Sequence, residues 1–182
     1  KSGKVSHERG SLPTLILNKK MIITLTAFLF LTSIITIAPL FHFQPVTGPI
    51  VNAILFISVC LLGTEYTLLI GLIPSVIALS TGLLPAILAP MIPFVMLSNA
   101  ILIITFAHLR NKNYWLGIIV ASVLKFIFLF TTSSVVVNLL LKKEIAAKVA
   151  GMMSWPQLVT ALAGGVIAYI FLSSLKRVKN NF

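Results

Sequence analysis

Few residues of this chain could do chemistry, and the most unusual of them is Lys125. It lies in the stretch "SVLKFIFLFTTSS", residues Ser122 to Ser134, which is otherwise apolar enough for a helix inside a lipid bilayer. A charged side chain at the bilayer centre costs about 2.5–3.5 kcal/mol or more, and such residues are functional by default. In a water-poor setting an ammonium group strongly attracts a carboxylate or phosphate, so Lys125 predicts a binding site for an anion. The alternative is that Lys125 pairs with a backbone carbonyl or extends to water, and that the ligand is uncharged.

Polar side chains in other apolar stretches are expected to share this site. At 1.5 Å per residue, Lys125 lies about 15 Å into its helix and Asn99 about 12 Å into the preceding one, counted from opposite ends. The two side chains are therefore expected to line one cavity. Asn52, Trp155 and Gln157 are expected above it, on the outer side. Thr132 and Ser133 add two hydroxyls on the Lys125 side of its helix. The predicted substrate-binding residues are therefore Lys125, Asn99, Asn52, Trp155, Gln157, Thr132 and Ser133.

These amides also have purely structural explanations. An asparagine inside a membrane helix often serves only to hold two helices together, and Asn99 fits that role equally well. Asn52 and Gln157 lie near expected helix starts, where such side chains cap the helix or anchor a loop. The sequence leaves both explanations open.

Nothing in the sequence predicts an enzyme, a cofactor or a metal site. His7, His42 and His108 are far apart and have no partner at a spacing typical of metal ligands. The chain has no Walker loop or other glycine-rich phosphate cradle, so it is not expected to hydrolyse ATP itself. Cys60 is the single cysteine, so an intrachain disulfide is excluded.

Composition predicts an integral membrane protein. Hydrophobic residues make up 58% of the chain and charged residues only 9%, and the mean hydropathy is +1.08; soluble domains have about a quarter charged residues. Fourteen Lys and Arg against three acids give a net charge of +11. The basic residues lie at the ends of apolar segments, a pattern typical of membrane topology and of contact with anionic lipid headgroups. The sequence has no basic face interleaved with aromatic residues, so it does not predict a nucleic acid partner.

Four apolar segments each have about the 20 residues needed to cross a bilayer. The segment from Ile50 to Thr81 is ambiguous, because as one helix it would be ~48 Å long, and as two halves each would be only ~22 Å. A turn at Gly63 to Glu65 would divide it into two short spans, which are tolerated when they pack inside a bundle. The other four predicted spans are Met21–Phe41, Met91–Leu109, Trp115–Leu141 and Pro156–Leu175.

The distribution of basic residues favours six spans over five. With six spans, ten Lys and Arg lie on one side and three on the other, whereas five spans give eight against five. The positive-inside rule then places both termini in the cytoplasm. The chain is expected to have a basic N-terminal tail (1–20), one six-helix transmembrane domain that binds substrate (21–176) and a short C-terminal tail (177–182).

Prolines cluster in two segments on the predicted outer side. Pro45 and Pro49 lie between the first two spans, and Pro85, Pro90 and Pro93 lie between the third and fourth. Because proline stiffens the backbone, these charge-free apolar segments are candidate lids over a pocket. Ordinary turns at the membrane interface are the alternative.

Several stretches resemble the substrate-binding S components of energy-coupling factor (ECF) vitamin transporters. They are "TGPIVNAILFISVCLLG", "GLIPSVIALSTGLLPAILAPMIPF" and "SNAILII", within a resemblance that covers about Met21 to Lys176. One departure is in the first span, where many S components have an Ala-xxx-Ala motif for docking, whereas Ala27 here is followed by Leu31. If docking uses this span, Thr32 and Thr36 would take the place of the two alanines. Small-xxx-small pairs that allow close helix approach occur in the last span, at Ala161 with Gly165 and Gly164 with Ala168.

The resemblance implies a multi-pass protein of a prokaryotic plasma membrane that captures a vitamin or related micronutrient from outside. Its implied partners are a transmembrane coupling subunit and two cytoplasmic ATPases, besides the ligand and membrane lipid. The rival hypotheses are a small permease or channel that works alone, and a membrane assembly protein that transports nothing. A permease is disfavoured because the sequence has no inverted repeat and no line of polar residues on several helices.

Overall fold

The computed structural model describes residues 19–41, 43–82, 86–140, 151 and 153–175. The predicted tails therefore lie outside the described residues, apart from Lys19 and Lys20. Pro85 and the three lysines expected on the outer side, Lys142, Lys143 and Lys148, also lie outside them.

The described part of the chain is all-helical, as predicted, and contains no strand. Four of its six α-helices are long and apolar enough to cross a membrane, and the second and third are shorter. Two 3-10 helices, Ala38–Phe41 and Ala86–Met91, lie before α2 and α4. The α-helices are α1 Lys19–Ile37, α2 Gln44–Leu61, α3 Thr64–Ser80, α4 Ile92–Leu109, α5 Tyr114–Leu140 and α6 Trp155–Ser174.

The predicted break in the long central apolar segment is confirmed. Only Leu62 and Gly63 separate α2 from α3, and Gly63 has a φ of 90°, which an L-residue with a side chain rarely adopts. The start of α2 differs from the prediction, because the helix begins at Gln44 rather than near Ile50. Pro45 lies in the first helical turn, where the N–H that proline lacks would have had no partner.

The described residues at the two ends of the bundle differ in charge. The basic end comprises the start of α1, the Leu62–Gly63 turn, the Arg110–Asn113 connection and the end of α6; Lys19, Lys20, Arg110 and Lys112 lie there. The neutral end comprises residues 38–48, 80–95 and 151–157, whose described members include no Lys, Arg, Asp or Glu. Lys125 is the one described lysine that lies away from both ends.

Helix α2 forms the centre of the bundle. Its eight consecutive residues from Asn52 to Val59 are all buried, and it packs against α6 most extensively and also against α1, α3 and α4. Phe56 of α2 meets Phe106 of α4 edge-on, with ring centroids 4.7 Å apart. The middle of α2 is therefore enclosed by protein, whereas its first turn is exposed at Val46. Helix α3, in contrast, exposes an apolar face with Leu69, Leu72 and Val76.

Candidate functional site

The amino group of Lys125 is buried between two asparagine side chains. Its Nζ donates a hydrogen bond of 2.7 Å to Asn52 Oδ1 of α2 and one of 2.8 Å to Asn99 Oδ1 of α4. All three side chains are almost fully buried, and Lys125 is only 3% exposed. Lys125 and Asn99 therefore lie together, at the similar depths that the sequence indicated, and the amino group does not extend to water at the basic end.

Each asparagine is held in one orientation by a backbone carbonyl. Asn52 Nδ2 donates to the carbonyl oxygen of Gly48, at 2.9 Å, and Asn99 Nδ2 donates to that of Gly71 in α3, at 3.0 Å. If either carboxamide were rotated, an NH₂ group would face the lysine donor, and both hydrogen bonds would be lost. Both carboxamides therefore direct the negative ends of their dipoles at Nζ.

The described residues provide no acid that offsets the charge of Lys125. Glu65 is the single acidic residue among them, and it lies exposed in the first turn of α3 at the basic end. An ammonium group has three N–H donors, of which Asn52 and Asn99 accept two. The site thus combines a positive charge with a donor that a bound group could use.

A cavity adjoins this cluster. The volume in which a water-sized group can be centred is about 90 Å³. The polar side chains in its wall are those of Lys125, Asn52, Asn99, Thr47, Ser75 and Gln157. Its other lining residues are small or apolar: Pro39, Gly48, Val51, Pro74, Ala78, Val95 and Met153.

The cavity extends from Lys125 toward the neutral end. Gly48 lies one turn from Asn52 in that direction, and Val95 lies one turn from Asn99 in the same direction. On the other side of the cluster the bundle is closed. The buried side chains there include Phe56, Phe106, Leu102, Ile103 and Ile118, each at most 1% exposed.

Gly164 allows α6 to approach Asn52. A Cβ atom added to Gly164 would lie 2.7 Å from Asn52 Cβ and 2.8 Å from the backbone nitrogen of Ala53 and the carbonyl oxygen of Pro49. Carbon atoms do not pack so closely, so only glycine permits this contact. The predicted small-xxx-small pairs of α6 do lie at close helix contacts, because Ala161, Gly164, Gly165 and Ala168 are all buried.

Of the other four predicted site residues, Gln157 lines the cavity and three do not. Thr132 and Ser133 donate to carbonyl oxygens of their own helix, at 2.7 Å to Phe128 and 3.1 Å to Phe130, and they are not among the lining residues. Trp155 is 67% exposed and does not line the cavity either.

Asn52 lies deeper than the sequence suggested. It was expected at a helix start on the outer side of the cavity, but α2 begins at Gln44, so Asn52 is two turns inside the helix. It therefore lies level with Lys125 and does not cap α2. The proline segments also differ from the expected lids, since Pro45, Pro49, Pro90 and Pro93 belong to helices and do not line the cavity.

Sequence reasoning missed Ser75 of α3. Its side chain is 3% exposed and lines the cavity, and within the described residues its Oγ has no hydrogen-bond partner. The available signal was a hydroxyl directly after Pro74 in an apolar helix, one turn beyond the carbonyl of Gly71 that holds Asn99. A buried hydroxyl without a partner costs about 1–3 kcal/mol, which a bound group would recover.

Comparison with known proteins gives no family assignment. No protein-family model, curated protein or solved structure matches this chain.

Proposed function

We propose that the protein is the substrate-capture (S) subunit of an ECF-type importer in a prokaryotic plasma membrane. It binds a small micronutrient in the cavity next to Lys125, from outside, and delivers it together with a coupling subunit and two ATPases. The observation that carries this proposal is the buried Lys125 amino group, held by two neutral carboxamides beside a cavity that extends toward one end of the bundle only.

Six spans with both termini in the cytoplasm are part of the proposal. The short helices α2 and α3 are joined by two residues. Together they can form a hairpin in which α2 crosses the bilayer toward the basic end and α3 crosses back. The exposed Leu69, Leu72 and Val76 on α3 suit contact with lipid tails. The basic end would be cytoplasmic by the positive-inside rule, and the cavity would then extend toward the outer face.

The one-sided cavity favours capture over an autonomous channel. A channel needs a polar path from one face to the other. Between Lys125 and the basic end, however, the core contains the tightly packed Phe56, Phe106 and Ile118. Release toward that end would require rearrangement, which in an ECF system the ATP-driven partners supply.

The coupling subunit would have to dock on surfaces other than the small residues of α6. Gly164 and Gly165 are already buried against α2 and α5 in the same chain. At the position of the family's second alanine in α1, Leu31 is 5% exposed and packs in the core. The outward side chains of α1, which include Leu25, Leu29 and Phe30, are the surface we assign to docking.

Topology is testable with single cysteines introduced after Cys60→Ser. We expect an impermeant maleimide to label Trp155→Cys in intact cells, because Trp155 lies exposed at the neutral end. Lys112→Cys, at the basic end, should react only after the membrane is permeabilised. The opposite pattern, or labelling of both from one side, would contradict the proposed orientation.

Function is testable by mass spectrometry of small molecules released from the purified protein. We expect the same compound from the wild type and from Lys112→Met, which removes an exposed lysine, but not from Lys125→Met. Uptake of that compound should stop when the ATPase partners are deleted. Uptake by the isolated protein in liposomes would instead indicate a permease, and the absence of any released compound from the wild type would favour an assembly protein.

A further inference from the structure

Two buried polar groups of the cavity wall are available to the same ligand. In its ammonium form, Lys125 has one N–H donor beyond its bonds to Asn52 and Asn99. Ser75 Oγ has no partner within the described part of the chain and lines the same cavity from α3. Both residues are 3% exposed, so neither donor is satisfied by bulk water.

The charge of the cavity sets the charge of the ligand. Among the described residues of its wall, Lys125 is the one charged side chain, and the polar groups around it are neutral. A ligand with a single negative charge leaves the occupied site neutral. A dianion such as a phosphate ester would leave one negative charge uncompensated in a low-dielectric interior, where that charge is costly.

The volume of the cavity admits a small organic molecule. About 90 Å³ is open to the centres of water-sized groups, which is more than one bound water needs. Away from the polar groups the described lining residues are small or apolar, and they include Val51, Ala78, Val95 and Met153. The remainder of the ligand is therefore apolar.

We propose that the cavity binds a small monocarboxylate with its carboxylate on Lys125 Nζ and Ser75 Oγ. This inference rests on the proposed function, since it names the substrate class of the same site. The carboxylate accepts from both donors, and its apolar remainder lies toward the neutral end.

The test uses the full-length protein in detergent and matched pairs of small monocarboxylates and their primary amides, including butyrate with butyramide and benzoate with benzamide. Binding is measured as protection against thermal unfolding over a concentration series. Carboxylates should protect and amides should not. Lys125→Met should abolish the protection, whereas Lys112→Met should retain it.

Ser75→Ala has a closely matched control in Ser122→Ala. Both serines are buried with an unpartnered hydroxyl in the described residues, but only Ser75 lines the cavity. Neither substitution removes an observed hydrogen bond, so both variants should fold. Ser75→Ala should bind carboxylates about tenfold more weakly, the effect of one charge-assisted hydrogen bond. Equal affinities of the two variants would overturn the assignment of Ser75.

The outcomes separate this inference from the proposed function. Equal protection by amides and carboxylates, or a co-purified compound that is neutral or doubly charged, would overturn the proposal that the ligand is a monocarboxylate. Neither result would contradict the proposed function of substrate capture. No protection by any carboxylate of the series would also overturn the monocarboxylate proposal. If in addition no compound is released from the purified protein, the proposed function fails as well.

Discussion

Removal of Asn99 should destabilise the protein much more when Lys125 is present than when it is absent. In the wild type, Asn99→Leu removes one of two acceptors from a buried amino group, together with the Asn99 bond to Gly71. In Lys125→Met the lysine bond no longer exists, so Asn99→Leu removes only the bond to Gly71. The two costs therefore differ by the interaction between Lys125 and Asn99.

The expected difference is about 1.5 kcal/mol. A hydrogen bond to a charged group contributes about 1.5–3 kcal/mol to stability in water-soluble proteins. Interhelical hydrogen bonds in membranes average about 0.6 kcal/mol and reach about 1.7, because the unfolded chain finds other partners in the bilayer. The Lys125 bond of 2.8 Å in a buried cluster belongs near the upper limit, and the neutral Gly71 bond near the average. Asn99→Leu should then cost about 2 kcal/mol in the wild type and about 0.5 kcal/mol in Lys125→Met.

Equilibrium unfolding in mixed detergent micelles measures these costs. The fluorescence of Trp115, whose ring centroid lies 4.7 Å from that of Tyr169 on α6, reports the separation of α5 from α6. Ser98→Ala is the control, because Ser98 is buried next to Asn99 but bonds only to its own helix, at Val95. Its cost should be the same in both backgrounds. If the two costs of Asn99→Leu agree within about 0.5 kcal/mol, the sites are independent and the reasoning about the cluster is refuted.

Three further predictions use the same unfolding measurement. Gly164→Ala should cost about 1–3 kcal/mol, because the added methyl group overpacks against α2. Gly151→Ala is the control and should cost almost nothing, because an added Cβ there meets no described atom within 4 Å. Equal costs would contradict the close contact at Gly164. Gly63→Ala should cost about 1–2 kcal/mol, because the residue has a φ of 90°, and an unchanged midpoint would exclude that conformation. Phe56→Ala should cost about 2 kcal/mol or more, because packing contacts in the core are lost. Phe30→Ala should cost much less, because Phe30 is exposed and lipid solvates a phenylalanine and an alanine equally well at that position. The reverse order of costs would place Phe56 outside the core.

Depth along each helix could be predicted from the sequence. Residues advance by 1.5 Å along a helix, so counting from opposite ends placed Lys125 and Asn99 at a similar level, and the structure joins them at 2.8 Å. The same counting failed for Asn52, because it depends on where the helix starts. Gln44 to Pro49 reads as a loop with two prolines, yet those residues form the first turns of α2.

The direction of each side chain could not be predicted. In a soluble helix the apolar stripe marks the core, but in a membrane helix both the lipid face and the core face are apolar. The sequence therefore could not tell that Trp155 points outward while Ser75, in an equally apolar helix, lines the cavity. Thr132 and Ser133 were placed on the correct half of α5, but their hydroxyls bond to the carbonyls of their own helix.

The sequence by itself determined that the described part of the chain is helical, where the central apolar segment breaks, and which positions of the apolar segments are polar. It did so because length, apolarity, glycine and charge act locally on the backbone and on its solvation. Only the tertiary structure decided that Lys125 meets two carboxamides, that Gly48 and Gly71 orient them, and that a cavity remains beside the amino group. Those features depend on how the helices rotate and pack against one another, and rotation is set by the fit of side chains from segments distant in sequence.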